Sequence, residues 1–165
     1  MYAKIKQKVV WEWDKLEFFF VIVFLVLIDQ ISKSYIQKLM SPNESIPIIK
    51  NLFHITYVKN YGAAFGVLKH RTTFFVFISV LIVIIILVYM QFVPKNKKAL
   101  RFAFALQIGG ALGNLLDRIR LSYVVDFLDL RIWPVFNIAD MAIVFGVGIL
   151  IYEIVFNDKK SLKPS

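Results

Sequence analysis

The sequence predicts an all-α membrane protein: a four-transmembrane-helix bundle with a small extracytoplasmic β-sheet between helices one and two. Three observations support this fold class. Hydrophobic side chains make up 59% of the 165 residues, against about 45–50% in soluble domains. Long apolar segments follow one another along the chain, and the lysines and arginines lie in short blocks beside them. A single integral membrane domain is therefore expected to cover residues 1–165.

The expected spans are recognised by their length, because a helix needs about 20 mostly apolar residues to cross the hydrocarbon core. They cover about residues 16–36, 72–93, 99–118 and 134–156. The second is free of charges, whereas the first contains Glu17, Asp29 and Lys33, and the fourth contains Asp140 and Glu153. A soluble fold of this length would have to bury all of these segments in one small core. We therefore expect each of them to cross the membrane.

The first span begins like a secretory signal peptide but does not end like one. Lysines at positions 4, 6 and 8 precede the apolar run 18–28, yet no small-residue cleavage site follows that run. We therefore expect a retained span. Residues 1–17 are expected to form a cytoplasmic, interfacial leader in which Trp11 and Trp13 suit the headgroup boundary.

Short loops rich in lysine and arginine predict the orientation, since such loops stay on the cytoplasmic side. The connection between the second and third spans is the densest basic block, and the leader and the C-terminal tail carry further lysines. Both termini are therefore expected in the cytoplasm, with the loops 41–71 and 117–133 outside. The loop 41–71 is rich in β-formers at residues 53–58, and Asn60-Tyr61-Gly62 is typical of a turn. It predicts a small sheet on the outer surface.

This orientation places the polar residues of the spans and outer loops at one membrane face. Those residues are Asp29, Asn60, Asn114, Asp117, Asp126 and Asp140. An ionisable side chain at the bilayer centre costs about 2.5–3.5 kcal/mol on insertion scales, and less near an interface. Their clustering at one face is what a functional site would require.

Two of these carboxylates have both an ordinary and a catalytic interpretation. Asn137 can cap the fourth helix, with Asp140 as its partner in a capping box, and Asp126 can be a simple turn former in a loop. Buried between Val125 and Phe127, however, Asp126 would have a raised pKa. If the loop brought Asp126 to the top of the fourth helix, the two carboxylates would share a proton. They could then act as base and acid on a water and a carbonyl, as in an aspartic protease.

The other polar and small residues of the spans have mainly structural interpretations. Asp29 and Lys33 are spaced for an i,i+4 salt bridge. Gly109 and Gly113 form a GxxxG face that favours close helix contact, and helix four carries a second pair of small residues at this spacing. The polar residues expected on one face of helix three are Asn114, Asp117 and Arg118.

Other chemistries find little support in the sequence. His54 and His70 are the only histidines, and the chain has no cysteine. A Ser-His-Asp triad, an HExxH zinc motif and a phosphate-binding loop are all missing. We therefore expect no metal, no cofactor and no nucleic-acid partner. A proton-coupled carrier and a non-enzymatic scaffold built on the GxxxG face are the alternatives to an enzyme.

Five short blocks of sequence occur in a fixed order around the expected site. They are Asp29-Gln30-Ile31-Ser32-Lys33, Asn60-Tyr61-Gly62-Ala63-Ala64-Phe65, Gly113-Asn114-Leu115-Leu116-Asp117-Arg118, Val124-Val125-Asp126-Phe127 and Phe136-Asn137-Ile138-Ala139-Asp140. Together they resemble the lipoprotein signal peptidase family, also called signal peptidase II, of bacterial plasma membranes. The resemblance extends from about Phe18 to Phe156.

The resemblance implies an aspartic endopeptidase that removes signal peptides from prolipoproteins, cleaving on the amino side of a diacylglyceryl-modified cysteine. It implies that Asp126 and Asp140 form the catalytic pair, near the extracytoplasmic face of the plasma (inner) membrane. It also implies supporting or substrate-binding roles for Asp29, Lys33, Asn60, Gly62, Asn114, Arg118 and Asn137. The implied partners are lipid-modified prolipoproteins, membrane lipids and globomycin-type inhibitors.

Two positions depart from the pattern of this family. Its members often carry Gly at the position of Ser122 and Ser at the position of Met141. Because Gly tolerates a positive φ and Ser does so poorly, Ser122 is expected to alter the turn before Val124. Met141 removes a hydroxyl beside Asp140.

Overall fold

The computed structural model describes residues 2–62 and 71–157, and of residues 2–15 and 157 it describes the backbone alone. Four α-helices and three β-strands lie in these ranges. In chain order they are α1 (Tyr2–Leu39), β1 (Ser45–Ile49), β2 (Phe53–Asn60), α2 (Thr72–Met90), α3 (Lys98–Leu121), β3 (Val124–Asp129) and α4 (Ile138–Tyr152). A short π-helical segment, Glu153–Asn157, continues α4.

The first helix joins the expected leader and the expected first span in one continuous element. Its 38 residues are about 57 Å long at 1.5 Å per residue, almost twice the hydrocarbon thickness of a bilayer. In the described part of the chain, three helical segments have the length and composition to cross a membrane: Thr72–Met90, Lys98–Leu121 and Ile138–Phe156. The remaining predicted span, residues 16–36, lies within α1.

The apolar side chains of α2 point mostly away from the protein. Ile86 is the one buried residue of this helix, whereas Phe77, Ile84 and Ile85 are each more than half exposed. A helix that is apolar on all sides and largely unburied suits a surrounding lipid phase rather than water. This exposed surface agrees with the membrane class that composition predicts.

The sheet differs from the prediction in one strand. Its order is β1-β2-β3, with both pairs antiparallel. The strands β1 and β2 lie between α1 and α2 as expected, but β3 comes from the connection between α3 and α4. The interpretation of Asp126 as a loop residue is therefore wrong, because Asp126 lies within β3. Nearly every residue of β3 is buried, so the alternation that marks a half-buried strand is missing from its sequence.

Helix α3 is the centre of the bundle and contacts α1, α2 and α4. The predicted GxxxG contact is confirmed. A methyl group added at Gly109 would lie 3.0 Å from the Cβ of Leu25 in α1, and one added at Gly113 would lie 2.6 Å from a carboxylate oxygen of Asp29. The small residues thus let α1 approach α3 closely, and they bring Asp29 into the interior of the bundle.

Candidate active site

The N-terminus of α4 is built by the capping box that the sequence suggested. Asn137 has extended backbone angles, and its side-chain Oδ1 accepts a hydrogen bond from the backbone N–H of Asp140 at 2.9 Å. The backbone N–H of Asn137 donates in return to Oδ2 of Asp140 at 3.3 Å. Because Phe136 forms a β-bridge with Leu128, the helix begins at Ile138, four residues later than the predicted span. Capping and the site are compatible, since the cap fixes the position of the Asp140 carboxylate.

Asp126 enters the same region from the middle of β3. Its carboxylate is buried and accepts hydrogen bonds from the Nδ2 of Asn137 at 2.7 Å and from the Nδ2 of Asn60 at 2.9 Å. Burial, helped by the nearby charge of Asp140, raises the pKa of Asp126 to about 7, although the two amide hydrogen bonds act to lower it. A carboxyl group with this pKa exchanges its proton near neutral pH.

Two asparagine side chains connect the carboxylates of Asp126 and Asp140. The Nδ2 of Asn114 donates to Oδ1 of Asp140 at 2.8 Å. The Nδ2 of Asn137, which donates to Asp126, also lies 3.1 Å from Oδ1 of Asn114. Both carboxylates line one cavity of ≈ 230 Å³, and we call Asp126 and Asp140 the dyad and this space the dyad cavity. The structure thus brings together the two predicted catalytic residues.

Other predicted site residues complete the walls of the dyad cavity. Arg118 lines it together with Asn60, Gly62 and Asn114, and its guanidinium group stacks 5.1 Å from the ring centre of Phe75 in α2. The backbone N–H of Gly62 donates to Oδ1 of Asn60 at 2.9 Å, which turns the Asn60 amide toward Asp126. Residues 63–65 of the same sequence block lie outside the described residues. The aromatic wall includes Trp133 and Phe136.

Asp29 and Lys33 lie beside the dyad cavity and do not line it. The predicted salt bridge between them is present at 2.8 Å, and Lys33 forms a second one with Asp117 at 3.0 Å. We call these three buried residues the ion cluster. The Nζ of Lys33 also donates to Oδ1 of Asn114 at 3.0 Å. That contact fixes the direction of the amide, so that the Nδ2 of Asn114 faces Asp140.

Sequence reasoning missed the roles of Asp117 and Gln30. Asp117 accepts a hydrogen bond from the backbone N–H of Val125 at 3.0 Å, which ties α3 to the residue before Asp126. The Nε2 of Gln30 donates to Oδ1 of Asp117 at 2.9 Å. Both residues lie within the quoted sequence blocks, and the spacing of Asp117 from Asn114 was the available signal.

The raised pKa of Asp126 gives the dyad one group suited to hold a proton near neutral pH. Two carboxyl groups that lie close together do not both ionise readily. Such a pair can activate a water as base and protonate a carbonyl or leaving group as acid. In residues 2–62 and 71–157, no group of three or more His, Asp or Glu side chains is placed to hold a metal ion.

A family model described as signal peptidase (SPase) II matches residues 21–156. All five sequence blocks and the whole dyad cavity lie within that range. The chain belongs to the signal peptidase II family. The resemblance inferred from the blocks is thereby confirmed, and membership identifies the chain as a peptidase.

Individual relatives of the signal peptidase II family agree. A lipoprotein signal peptidase of Moorella thermoacetica is 57% identical over 137 residues, covering 82% of this chain and 91% of the relative. One of Halothermothrix orenii is 47% identical over 133 residues, covering 81% and 91%. A solved structure described as a bacterial membrane enzyme superposes with a TM-score of 0.83 at 33% identity, covering 90% of this chain and 93% of that one. The chain therefore belongs among bacterial membrane enzymes.

The two departures from the signal peptidase II pattern have different structural consequences. Ser122 ends α3 with φ 66° and ψ 8°, the left-handed conformation that glycine adopts at no steric cost. Ser122 therefore adopts the positive φ that serine tolerates poorly, and an altered turn before Val124 stays a prediction. Met141 lies in the first turn of α4 and is 38% exposed, and it does not line the dyad cavity.

Proposed function

We propose that this chain is an aspartic endopeptidase that removes signal peptides from prolipoproteins. It cleaves on the amino side of a cysteine that carries a diacylglyceryl group. The observation that carries the proposal is the placement of Asp126 and Asp140 on one cavity, each held by asparagine amides. Family membership supplies the substrate class, since the curated relatives are named lipoprotein signal peptidases.

In the proposed reaction, Asp126 begins protonated and Asp140 begins ionised. The raised pKa of Asp126 supports this assignment of the shared proton. A water in the dyad cavity loses a proton to Asp140 as its oxygen attacks the scissile carbonyl carbon, and Asp126 gives its proton to the carbonyl oxygen. Asp140 then protonates the leaving amine while the C–N bond breaks, and a hydroxyl of the intermediate returns a proton to Asp126. The dyad ends in its starting state.

Arg118 and Asn114 are proposed to hold the substrate. The Arg118 guanidinium group lines the dyad cavity near both carboxylates, and it can bind a peptide carbonyl or the polar part of the lipid. Asn60 is proposed to anchor the turn beside Asp126. The acyl chains remain in the surrounding lipid, because a cavity of ≈ 230 Å³ is too small to enclose them. Globomycin-type inhibitors are expected to occupy this cavity.

The proposed membrane arrangement has four spans with both termini in the cytoplasm. The part of α1 from Leu16 onward exposes apolar side chains such as Phe20, Phe24 and Leu27, as a lipid-facing helix would. The basic block between α2 and α3 favours a cytoplasmic position for that connection. The dyad cavity and the sheet then lie at the extracytoplasmic face, where a signal helix can enter laterally from the bilayer.

Cleavage of purified prolipoprotein in detergent tests this proposal. One substrate carries a diacylglyceryl-modified cysteine, and an otherwise identical one carries the free cysteine. We expect cleavage of the lipid-modified form alone, and no cleavage by the Asp140→Asn variant. Equal cleavage of both forms would refute the lipid requirement, and wild-type turnover by Asp140→Asn would refute the dyad. A folded wild-type protein that cleaves neither form would favour the carrier alternative.

A further inference from the structure

A second cavity lies far from the dyad cavity, between the middle of α1 and the N-terminal end of α3. It has a volume of ≈ 500 Å³ and lies between the residues of α1 around Phe18 and the first turns of α3. Arg101 lines it, and Asn114 of the dyad cavity lies about 20 Å further along α3 at 1.5 Å per residue. The two cavities therefore belong to opposite halves of the bundle. We call the second one the basal cavity.

The floor of the basal cavity is apolar. Phe18 and Ala105 are buried where α1 packs on α3, and they belong to the core of the bundle. Phe20 and Phe102 lie beside them and are 69% and 46% exposed. Exposed aromatic side chains beside this buried helix contact form an apolar groove, which suits a hydrocarbon chain better than water.

The rim of the basal cavity is basic. Lys95, Lys98 and Arg101 line it, and among the side chains that the structure describes Glu17 is the one carboxylate that does. Helix α3 begins at Lys98 and has no acidic residue in its first turn, so the positive end of the helix dipole adds to these charges. A cationic rim above an apolar floor is complementary to a molecule with an anionic head and a hydrocarbon tail.

We propose that the basal cavity binds an anionic phospholipid, with its phosphate on Lys98 and Arg101 and an acyl chain along Phe20 and Phe102. A water-soluble anion would leave the aromatic floor in contact with water. A zwitterionic phospholipid would bring its own cation against the basic rim, which is unfavourable. The proposal depends on the membrane placement of α1 and α3, which would put this lipid in the cytoplasmic leaflet. It does not depend on the catalytic roles of the dyad.

Lipid binding to the delipidated full-length protein in detergent micelles tests the proposal. Native mass spectrometry would measure the affinity for phosphatidylglycerol and for phosphatidylcholine with the same acyl chains. We expect at least fivefold tighter binding of phosphatidylglycerol. Each basic residue near a lipid surface is worth roughly fivefold in binding. Lys98→Gln should therefore weaken phosphatidylglycerol binding roughly fivefold, and Lys98→Gln with Arg101→Gln should weaken it further.

Two further variants give this test a matched control and an effect of opposite sign. Lys38→Gln with Lys50→Gln removes the same number of charges outside the basal cavity, and binding should stay within about twofold of wild type. Glu17→Gln removes the opposing carboxylate and should tighten binding a few-fold. The Asp126→Asn variant should bind the lipid normally, whatever its effect on cleavage, so this result is separate from the proposed function.

Three outcomes would overturn the proposal. Equal binding of the two phospholipids by the wild-type protein would remove the claim of anion selectivity. An equal loss of binding in both double variants would mean that net charge, and not the basal cavity, attracts the lipid. Binding of water-soluble glycerol 3-phosphate as tight as that of phosphatidylglycerol would show that the apolar floor is not used.

Discussion

Two groups of carboxylates lie next to each other in this protein, and they differ in their partners. In the ion cluster, Asp29 and Asp117 both form salt bridges with the ammonium group of Lys33. In the dyad, Asp126 and Asp140 accept hydrogen bonds from neutral amides. The residues of the first group do not line the dyad cavity, whereas both members of the second do. The same residue type thus occurs in two electrostatic environments within one hydrogen-bonded network.

This difference separates a structural use of aspartate from a chemical one. A carboxylate paired with a buried cation holds helices together, and removal of its partner leaves an uncompensated charge. A carboxylate held by amides keeps its position and remains free to gain and lose a proton. Asn114 joins the two groups, because it accepts from Lys33 and donates to Asp140. We therefore propose that the ion cluster positions the dyad and takes no part in proton transfer.

The largest expected effect is on catalysis and comes from the dyad. Asp126→Asn removes the proton donor while keeping the size of the side chain, so cleavage should fall by at least about three orders of magnitude. Thermal stability in detergent should stay close to that of wild type. Asp129→Asn is the matched control, because Asp129 lies in the same strand but hydrogen-bonds to Thr56 and Arg131 outside the dyad cavity. Comparable loss of activity in both variants would remove the distinction.

The opposite behaviour is expected from the ion cluster. Lys33→Met leaves Asp29 and Asp117 buried without their cation, and breaking a buried ion pair in this way costs about 3–5 kcal/mol of stability. Thermal unfolding followed by circular dichroism in detergent measures this loss. Lys38→Met, at the exposed end of the same helix, should change stability by less than about 1 kcal/mol. A Lys33→Met protein as stable as wild type would contradict a structural role for the cluster.

The parts of this arrangement that could be predicted are those set by local spacing. The Asp29–Lys33 salt bridge, the capping box at Asn137 and the close contact at Gly113 each follow from residues a few positions apart on one element. Contacts of this kind can be predicted from one sequence, because helix geometry repeats every few residues.

The parts that could not be predicted depend on contacts between distant segments. Asp126 lies in a strand that is buried on both faces, so its sequence has no alternating pattern, and aspartate itself is rare in strands. The position of that strand is set by pairing with β2 and by the hydrogen bond from Val125 to Asp117. No local pattern encodes such a contact. The five ordered sequence blocks predicted the pairing of Asp126 with Asp140 through their resemblance to a known family, whereas periodicity did not predict it.

The pH dependence of cleavage tests whether the dyad, unlike the ion cluster, exchanges a proton during the reaction. Since burial raises the pKa of Asp126 to about 7, the dyad loses its proton above that pH, and kcat/KM should fall about tenfold per pH unit. The stability that this proton contributes is present below about pH 4 and is lost as the pH rises to about 7, so Asp126→Asn should lack that slope. A pH–rate profile from pH 5.5 to 9 measures the first effect. A flat profile above pH 7 would contradict the assignment of the proton to Asp126.

The smallest expected effect concerns Ser122, which ends α3 and precedes β3. Helix α3 carries Asn114 and Asp117, and strand β3 carries Asp126. Ser122 has a φ of 66°, a conformation that costs an L-residue roughly 1–2 kcal/mol and costs glycine nothing. Glycine also loses more backbone entropy on folding, which offsets part of the gain. Ser122→Gly should therefore raise stability by about 1 kcal/mol or less, measured by thermal unfolding, with cleavage unchanged. A loss of cleavage without a loss of stability would mean that the conformation of this turn, and not only the ion cluster, keeps Asp126 in position opposite Asp140.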